Sequence, residues 1–334
     1  MKSGIIGLGT IGKVHASVLD SQRREIAAVC DVEESLLAPY PNCAHYSDYL
    51  QMLDEAKPDV VHICTPHYLH AEMIVAALER NINVLCEKPL CIQKKDIPRI
   101  LEAEKRSKAQ LGVCLQNRYN AANVFVKDYL CGERALGGTG SVVWHRDEAY
   151  YATGAWRGKW RTEGGGVLIN QALHTLDLLE WFLGEPRYVA ASTSNLTLQG
   201  KIEVEDTASV LCFGETNFSF FATNGSAAEF PVEMTLQTEK GPIKILPDTV
   251  LIDGRAKTFA DERRAYGKYC YGTGHGRLIS DFYECVSENR KFAIDGTEGA
   301  KVVKLILSAY ESGGKKIEIA GTPGESSRSE RRGC

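Results

Sequence analysis

The sequence predicts an α/β chain of two domains: an N-terminal doubly wound parallel sheet and a C-terminal α/β domain with a large, mostly antiparallel open sheet. Three observations carry this. Short β-branched runs alternate with amphipathic segments through the first 120 residues, which is how parallel strands and crossover helices read. The strand cores there, IIG, AAVC, VVHIC and VLC, are apolar on both pleat faces, as helices on both sides of a sheet require. Beyond Asn120 strand-like runs follow one another with turns but no long helices between them. At 334 residues the chain also exceeds what one hydrophobic core usually organises. We place the first domain at 1–118, the second at 119–320, and a polar, charged tail expected to fray at 321–334.

The elements follow in order. SGIIGLG reads as a strand, then a helix from Ile11, the strand EIAAVCD, a helix near Leu50, the strand DVVHICT, a helix from Leu69, the strand NVLCEKP, a helix through Leu101 and the strand AQLGVCL. A helix over Phe125 to Leu130 and a strand SVVWHRDEAYY open the second domain. The helix GVLINQALHTLDLLEWFLG stops at Gly184 and Pro186, residues that end helices. The strands YVAASTSNLTL, ASVLCFG, FSFFATN, VEMTLQTEKGPIKIL and TVLIDG come next, then helices from Arg277 to Glu288 and from Glu298 to Tyr310.

Composition narrows the function. Hydrophobic residues at 44% and charged residues at 25% are those of a globular chain. A net charge of -4 and a pI near 6.1 supply no basic field for nucleic acid, so a small-molecule partner is expected. MKSGIIGLGTIG enters a strand and turn without a secretory apolar stretch, and no segment approaches the roughly 18 apolar residues of a membrane span. A cytoplasmic protein is expected. Among eleven cysteines, Cys30, Cys64, Cys86, Cys114 and Cys212 lie in apolar runs and no C-x-x-C pair occurs, so they read as buried reduced thiols. The N-x-S/T triplets at Asn195, Asn217 and Asn224 need no explanation beyond chance.

Gly7, Gly9 and Gly12 form G-x-G-x-x-G between a strand and a helix that opens with Thr10 and Ile11. Gly7 suits the tight turn, Gly9 the approach of a pyrophosphate, and Gly12 close helix packing. Asp31 ends the next strand, where a carboxylate can accept bonds from ribose hydroxyls. No Arg or Lys stands at 32–35 to neutralise a 2'-phosphate, so NAD is favoured over NADP. The plainer alternative is a glycine turn with a capping Asp. Two further segments end strands of the first domain, where ligands of open α/β sheets lie: Thr65-Pro66-His67-Tyr68-Leu69-His70 and Cys86-Glu87-Lys88-Pro89. Thr65, Pro66, His70, Glu87, Lys88 and Asn117 are therefore candidate cofactor residues, although His70 could equally cap or pack its helix. His62, His67 and His70 lack a ligand set for a metal, and no metal site is expected.

In the second domain Gly164-Gly165-Gly166 leads into LINQALHTLDLL, on which Asn170, His174 and Asp177 fall at i, i+4 and i+7. Leu168, Ile169, Leu173, Leu176, Leu178 and Leu179 make this helix mostly buried, so its polar residues need partners or a cavity rather than solvent. His174 changes charge near neutral pH and is the proton-transfer candidate. Tyr150, Arg157, Trp160 and Arg161 suit a pocket wall for a polyhydroxylated or anionic molecule, or are ordinary surface.

These residues together resemble the Gfo/Idh/MocA family of oxidoreductases. The likeness is carried by GLGTIG with His15 after it, VVHICTPHYLHAEM, CEKPL, LQNRY, WRGKWRTEGGGVLINQALHTLDLLEWFLG and HGRLISDFYECV. The resemblance implies a Rossmann domain binding NAD and a substrate domain whose open sheet mediates dimers or tetramers. It implies hydride transfer to or from a secondary alcohol of a sugar or cyclitol, with Lys88 at the substrate hydroxyl and nicotinamide ribose and His174 as acid/base. Many members carry an aspartate four residues before that histidine. Here it is Asn170, which can orient a ligand but cannot ionise. Two alternatives share the fold: an NAD-recycling glycoside hydrolase or lyase, and a non-catalytic NAD-dependent regulator.

Overall fold

The structure is a computed structural model that describes residues 1–259 and 272–320. The chain opens with β1 (Lys2–Ile6), α1 (Thr10–Ser21), β2 (Glu25–Cys30), β3 (Ala44–Tyr46), α2 (Tyr49–Glu55), β4 (Val60–Ile63), α3 (His70–Glu79), β5 (Asn83–Cys86), α4 (Asp96–Arg106) and β6 (Leu111–Val113). It continues with α5 (Ala121–Tyr129), β7 (Ala135–Val143), α6 (Glu148–Ala152), α7 (Leu173–Leu183), β8 (Tyr188–Ser194), β9 (Thr207–Phe213) and β10 (Asn217–Thr223). The strands β11 (Glu233–Thr238), β12 (Gly241–Ile245), β13 (Thr249–Ile252) and β14 (Arg255–Thr258) follow. The helices α8 (Gly274–Ser287) and α9 (Gly296–Ser312) and the short β15 (Ile317–Glu318) complete the described residues.

The described residues form two compact units, 1–119 with 161–164 and 272–300, and 120–160 with 165–259 and 301–320. In the first, six parallel strands run in the order β3-β2-β1-β4-β5-β6. This is the doubly wound order, in which the direction of strand succession reverses beside β1 and places the ligand crevice at the carboxyl ends of β1 and β4. Ile5, Val29, Val61 and Val84 have no exposure, as the two-sided apolar runs anticipate. Helix α1 buries Val14, His15, Val18 and Leu19, one apolar stripe of a 3.6-residue period. Asp48 caps α2 by accepting from the Leu50 amide. The three-residue edge strand β3 has no apolar pattern, and sequence reading passes over it.

The single expected boundary at 118 requires correction, because the chain returns to the first unit. Leu278, Ile279 and Phe282 of α8 are completely buried, and a Cβ on Gly112 of β6 would lie 2.8 Å from the Phe282 ring. Periodicity announces that α8 needs a sheet to cover, not which sheet.

The second unit is a nine-stranded sheet in the order β14-β13-β12-β11-β7-β10-β9-β8-β15, antiparallel except for the parallel β7/β10 pair. Val189, Val210, Cys212, Phe218, Phe220 and Ala222 alternate inward, and a Cβ on Gly140 would lie 2.9 Å from Leu179 of α7, which places that helix on this face. Two elements differ from expectation. β7 ends at Val143, and residues 148–152 are the helix α6, whose N-cap Asp147 accepts from the Tyr150 amide. α7 begins only at Leu173. Cys30, Cys64, Cys86, Cys114 and Cys212 are buried free thiols, whereas the exposed Cys131 is disulfide-bonded. Among the described residues no helix is long and apolar enough to cross a membrane.

Candidate cofactor and catalytic site

The turn after β1 is built by backbone necessity. Gly7 has φ +89°, and its amide donates to Cys30 O at 2.8 Å. A Cβ on Gly12 would sit 1.9 Å from Gly7 O, so α1 packs against the turn only because both are glycine. Gly9 differs: its missing Cβ points into space with nothing within 4 Å. As the N-cap of α1 it has no side chain to satisfy the first amides, leaving a helix N-terminus that suits a pyrophosphate. The Asp31 carboxylate accepts from Leu8 N at 2.7 Å and Glu33 N at 3.0 Å, so it caps the turn and retains lone pairs for ribose hydroxyls. The residues present fit a dinucleotide.

Thr65 and Pro66, after β4, and Lys88, after β5, are half-buried at the same carboxyl edge, and Asn117 sits in the 3-10 turn after β6. The Lys88–Pro89 peptide is cis. Two histidines of the Thr65–His70 segment are buried against backbone carbonyls. His70 is fully buried, its Nδ1 2.7 Å from Pro89 O and its Nε2 2.9 Å from Thr65 O, so it ties the two candidate loops together. Burial pulls its pKa down while both carbonyls favour the protonated ring. His67 likewise is buried, with Nδ1 2.8 Å from Glu163 O.

Glu87 is the centre of a network that sequence reading missed. Its Oε1 lies 3.0 Å from His15 Nε2 and 3.2 Å from His275 Nε2, and its Oε2 accepts the Lys88 amide at 3.1 Å. His15 Nδ1 meets His62 Nδ1 at 2.8 Å, His62 Nε2 meets Tyr283 Oη at 2.9 Å, and Tyr283 Oη meets Ser3 Oγ at 2.6 Å. One proton arrangement satisfies this chain: Ser3 donates to Tyr283, Tyr283 to His62, His62 to His15, and His15 and His275 to an ionised Glu87. His15 and His62, each donating from one ring nitrogen and accepting at the other, are then neutral. The electrostatics agree. Burial resists charge on Glu87, but the His15 and His275 donors outweigh it and hold the carboxyl well below its usual range. Burial lowers His15 against the pull of Glu87, and lowers His62 further with His15 adding to it. Single side-chain atoms of His15, Glu87 and His275 also lie within 4.8 Å of one another, as metal ligands can. The hydrogen bonds account for their closeness without an ion. The one sequence signal was His15, on the buried face of α1.

In the second unit Asn170 is not on the helix with His174. It lies in the turn before α7, its amide bonded to Gly166 O at 3.1 Å, and both side chains are half-buried while Asp177 is fully buried. That turn is held by Glu205, which accepts from Gly166 N at 2.8 Å, Leu168 N at 3.0 Å and Tyr310 Oη at 2.9 Å. Burial raises the Glu205 pKa to about 7 against these donors. Tyr150 Oη accepts from Arg157 Nη1 at 2.7 Å, Gln171 Nε2 at 2.9 Å and Asn170 Nδ2 at 3.4 Å, so it joins two other expected site residues, Arg157 and Asn170, and brings in Gln171. Trp160 is 44% exposed, with its indole N–H on Glu203 O at 2.9 Å, and Arg161 is exposed in the short segment that belongs to the first unit.

The strand order and the uncapped glycine turn define a dinucleotide-binding α/β protein. The oxidoreductase family with an NAD-binding Rossmann fold matches residues 1–115, and the GFO/IDH/MocA C-terminal domain matches residues 130–244. The chain belongs to this GFO/IDH/MocA family of NAD-binding oxidoreductases. It is 29% identical over 193 residues to the inositol 2-dehydrogenase of Salmonella paratyphi B, covering 55% of each chain. It is 30% identical over 202 residues to the D-glucoside 3-dehydrogenase of Escherichia coli, covering 56% of this chain and 55% of that one. The chain thus spans about half the length of the curated relatives it matches. The WlbA dehydrogenase of Bordetella pertussis, solved with NADH and UDP-GlcNAcA, superimposes with a TM-score of 0.83 at 26% identity, covering 97% of this chain and 99% of that one.

Proposed function

We propose that the protein is an NAD-dependent dehydrogenase moving a hydride between nicotinamide and a secondary alcohol or ketone of a sugar, cyclitol or sugar derivative. The observation that carries this reading is the open space over Gly9 at the N-terminus of α1, beside the reversal in strand order. Relatives named for inositol and D-glucoside oxidation support the substrate class. Bound NAD supplies the hydride acceptor, nicotinamide C4. Gly7, Gly9, Thr10, Ile11 and Gly12 bind the pyrophosphate, Asp31 the adenosine ribose, and Thr65, Pro66 and Asn117 flank the cofactor. Glu87 and His70 position those loops from beneath. His174 takes the hydroxyl proton, Lys88 hydrogen-bonds the developing oxyanion, and Asn170 orients the substrate. Asn170 cannot share a proton, so the acid/base duty rests on His174.

The remaining expectations belong to the same reading: NAD preferred over NADP because of Asp31, a homodimer or homotetramer formed through the open face of the second sheet, and a cytoplasmic location. The experiment is to add a panel of sugars, cyclitols and sugar acids to the protein with NAD and, separately, NADP, and follow reduced-nicotinamide absorbance. Reduction with NAD on one chemical class is expected. Cofactor that copurifies and is never consumed replaces this reading with the NAD-recycling hydrolase, and binding without any turnover replaces it with a regulator.

A further inference from the structure

We infer that the substrate carries an anionic group, a carboxylate or a phosphate ester, and that Arg157 is the specificity residue that binds it. This rests on the dehydrogenase reading above. The Arg157 guanidinium is half-buried against two aromatic rings, its Cζ 4.7 Å from the centroid of Tyr150 and 4.5 Å from that of Trp156. Nη1 is committed to Tyr150 Oη at 2.7 Å. Among the described residues Arg157 forms no ion pair, and Nε and Nη2 make no hydrogen bond. Arg146, which faces the same Tyr150 ring at 5.2 Å, is neutralised by Glu229. Of two cations on one ring, one has its carboxylate and the other has an open edge.

A partly desolvated guanidinium without a counter-charge is unfavourable, and aromatic faces offset only part of that cost. They also lock the side chain. A planar fork packed against two rings, with one nitrogen tethered, leaves Nε and Nη2 to grip a carboxylate or phosphate. The edge lies close to the site residues, because Tyr150 Oη accepts from Asn170 Nδ2 at 3.4 Å as well as from Arg157. Gln171 fixes the arrangement: its Oε1 accepts from Asn224 Nδ2 at 3.2 Å, which turns its amide N–H toward Tyr150.

The test compares D-glucose, D-glucuronate, D-gluconate and D-glucose 6-phosphate with the NAD-loaded protein, by turnover and by calorimetry. At least one anion is expected to exceed D-glucose about tenfold or more in affinity or kcat/KM, and carboxylate against phosphate is decided by which anion leads. Arg157→Gln should raise KM or Kd for that anion roughly 10-fold to 100-fold, with a smaller change in kcat and unchanged NAD affinity, and Arg157→Lys should restore part of the loss. Turnover that shows no preference for an anion, or a preference that survives Arg157→Gln, overturns the inference and leaves the dehydrogenase reading intact. An Arg157-dependent anion preference in calorimetry without any hydride transfer does the reverse. Failure to bind any of the three anions at millimolar concentration also overturns it.

Discussion

Gly9 and Gly12 stand three residues apart and are constrained by different neighbours, which makes them separable by mutation. Gly12→Ala drives a methyl group against Gly7 O, where a Cβ lies at 1.9 Å, and should destabilise the protein by about 2–3 kcal/mol or more. A Cβ at Gly9 meets nothing within 4 Å, so Gly9→Ala should leave the melting temperature of the cofactor-free protein almost unchanged while weakening NAD binding. Melting curves with and without NAD decide both. Comparable destabilisation by the two variants would show that Gly9 serves the fold and not the cofactor. His174→Ala and Lys88→Met test the chemistry: each should lower turnover by about 10²–10⁴ with little effect on NAD affinity. Near-normal turnover in both variants would reject the assigned roles. These residues were legible in sequence because their signals are local, a glycine spacing between a strand and a helix and a lysine at a strand end.

At the scale of elements, the buried network joins α1, β1, β4, the residues after β5, and α8 through side chains. Glu87→Ala leaves the His15 and His275 donors buried without their acceptor and should cost about 2–5 kcal/mol, read from chemical denaturation. The pH dependence follows from the shifts. His15 and His62 lie below their ordinary 6.5 in the folded protein, so the unfolded chain binds more protons as the pH falls through that value. Stability should therefore decrease with acidification from about pH 6.5 downward. Glu87, depressed below its ordinary 4.5, adds stability above that value and loses it as the pH falls through its lower folded pKa. Denaturation midpoints at about pH 8, 6.5 and 5 test this, and a flat profile between the last two would refute the neutral-histidine arrangement. Element boundaries were less legible. The run from Gly166 to Leu183 reads as one helix, but the Glu205 carboxylate binds the Gly166 and Leu168 amides and holds the chain as a turn until Leu173. Long-range side-chain bonds overrode a local pattern.

At the scale of the whole molecule, the outer face of the second sheet carries Leu211 at 51% and Phe221 at 41% exposure beside Ser209, Ser219 and Thr139. If that face joins subunits, Leu211→Glu with Phe221→Glu should reduce the mass measured by light scattering to that of one chain. An unchanged oligomer would place the interface elsewhere. The sequence by itself determined the alternation of strands and helices, the parallel character of the first sheet, the phosphate turn and the family. The first three depend on periodicity or spacing within one or two elements, where backbone sterics act, and the family on a resemblance carried by motifs spread over both domains. Only the tertiary structure decided that α8 covers the first sheet, that Glu87 is held by His15 and His275, and that Tyr150 gathers Arg157, Asn170 and Gln171. Those partners lie as far as 188 residues apart in the chain, and nothing in local propensity records which buried donor will meet which acceptor once the cores close.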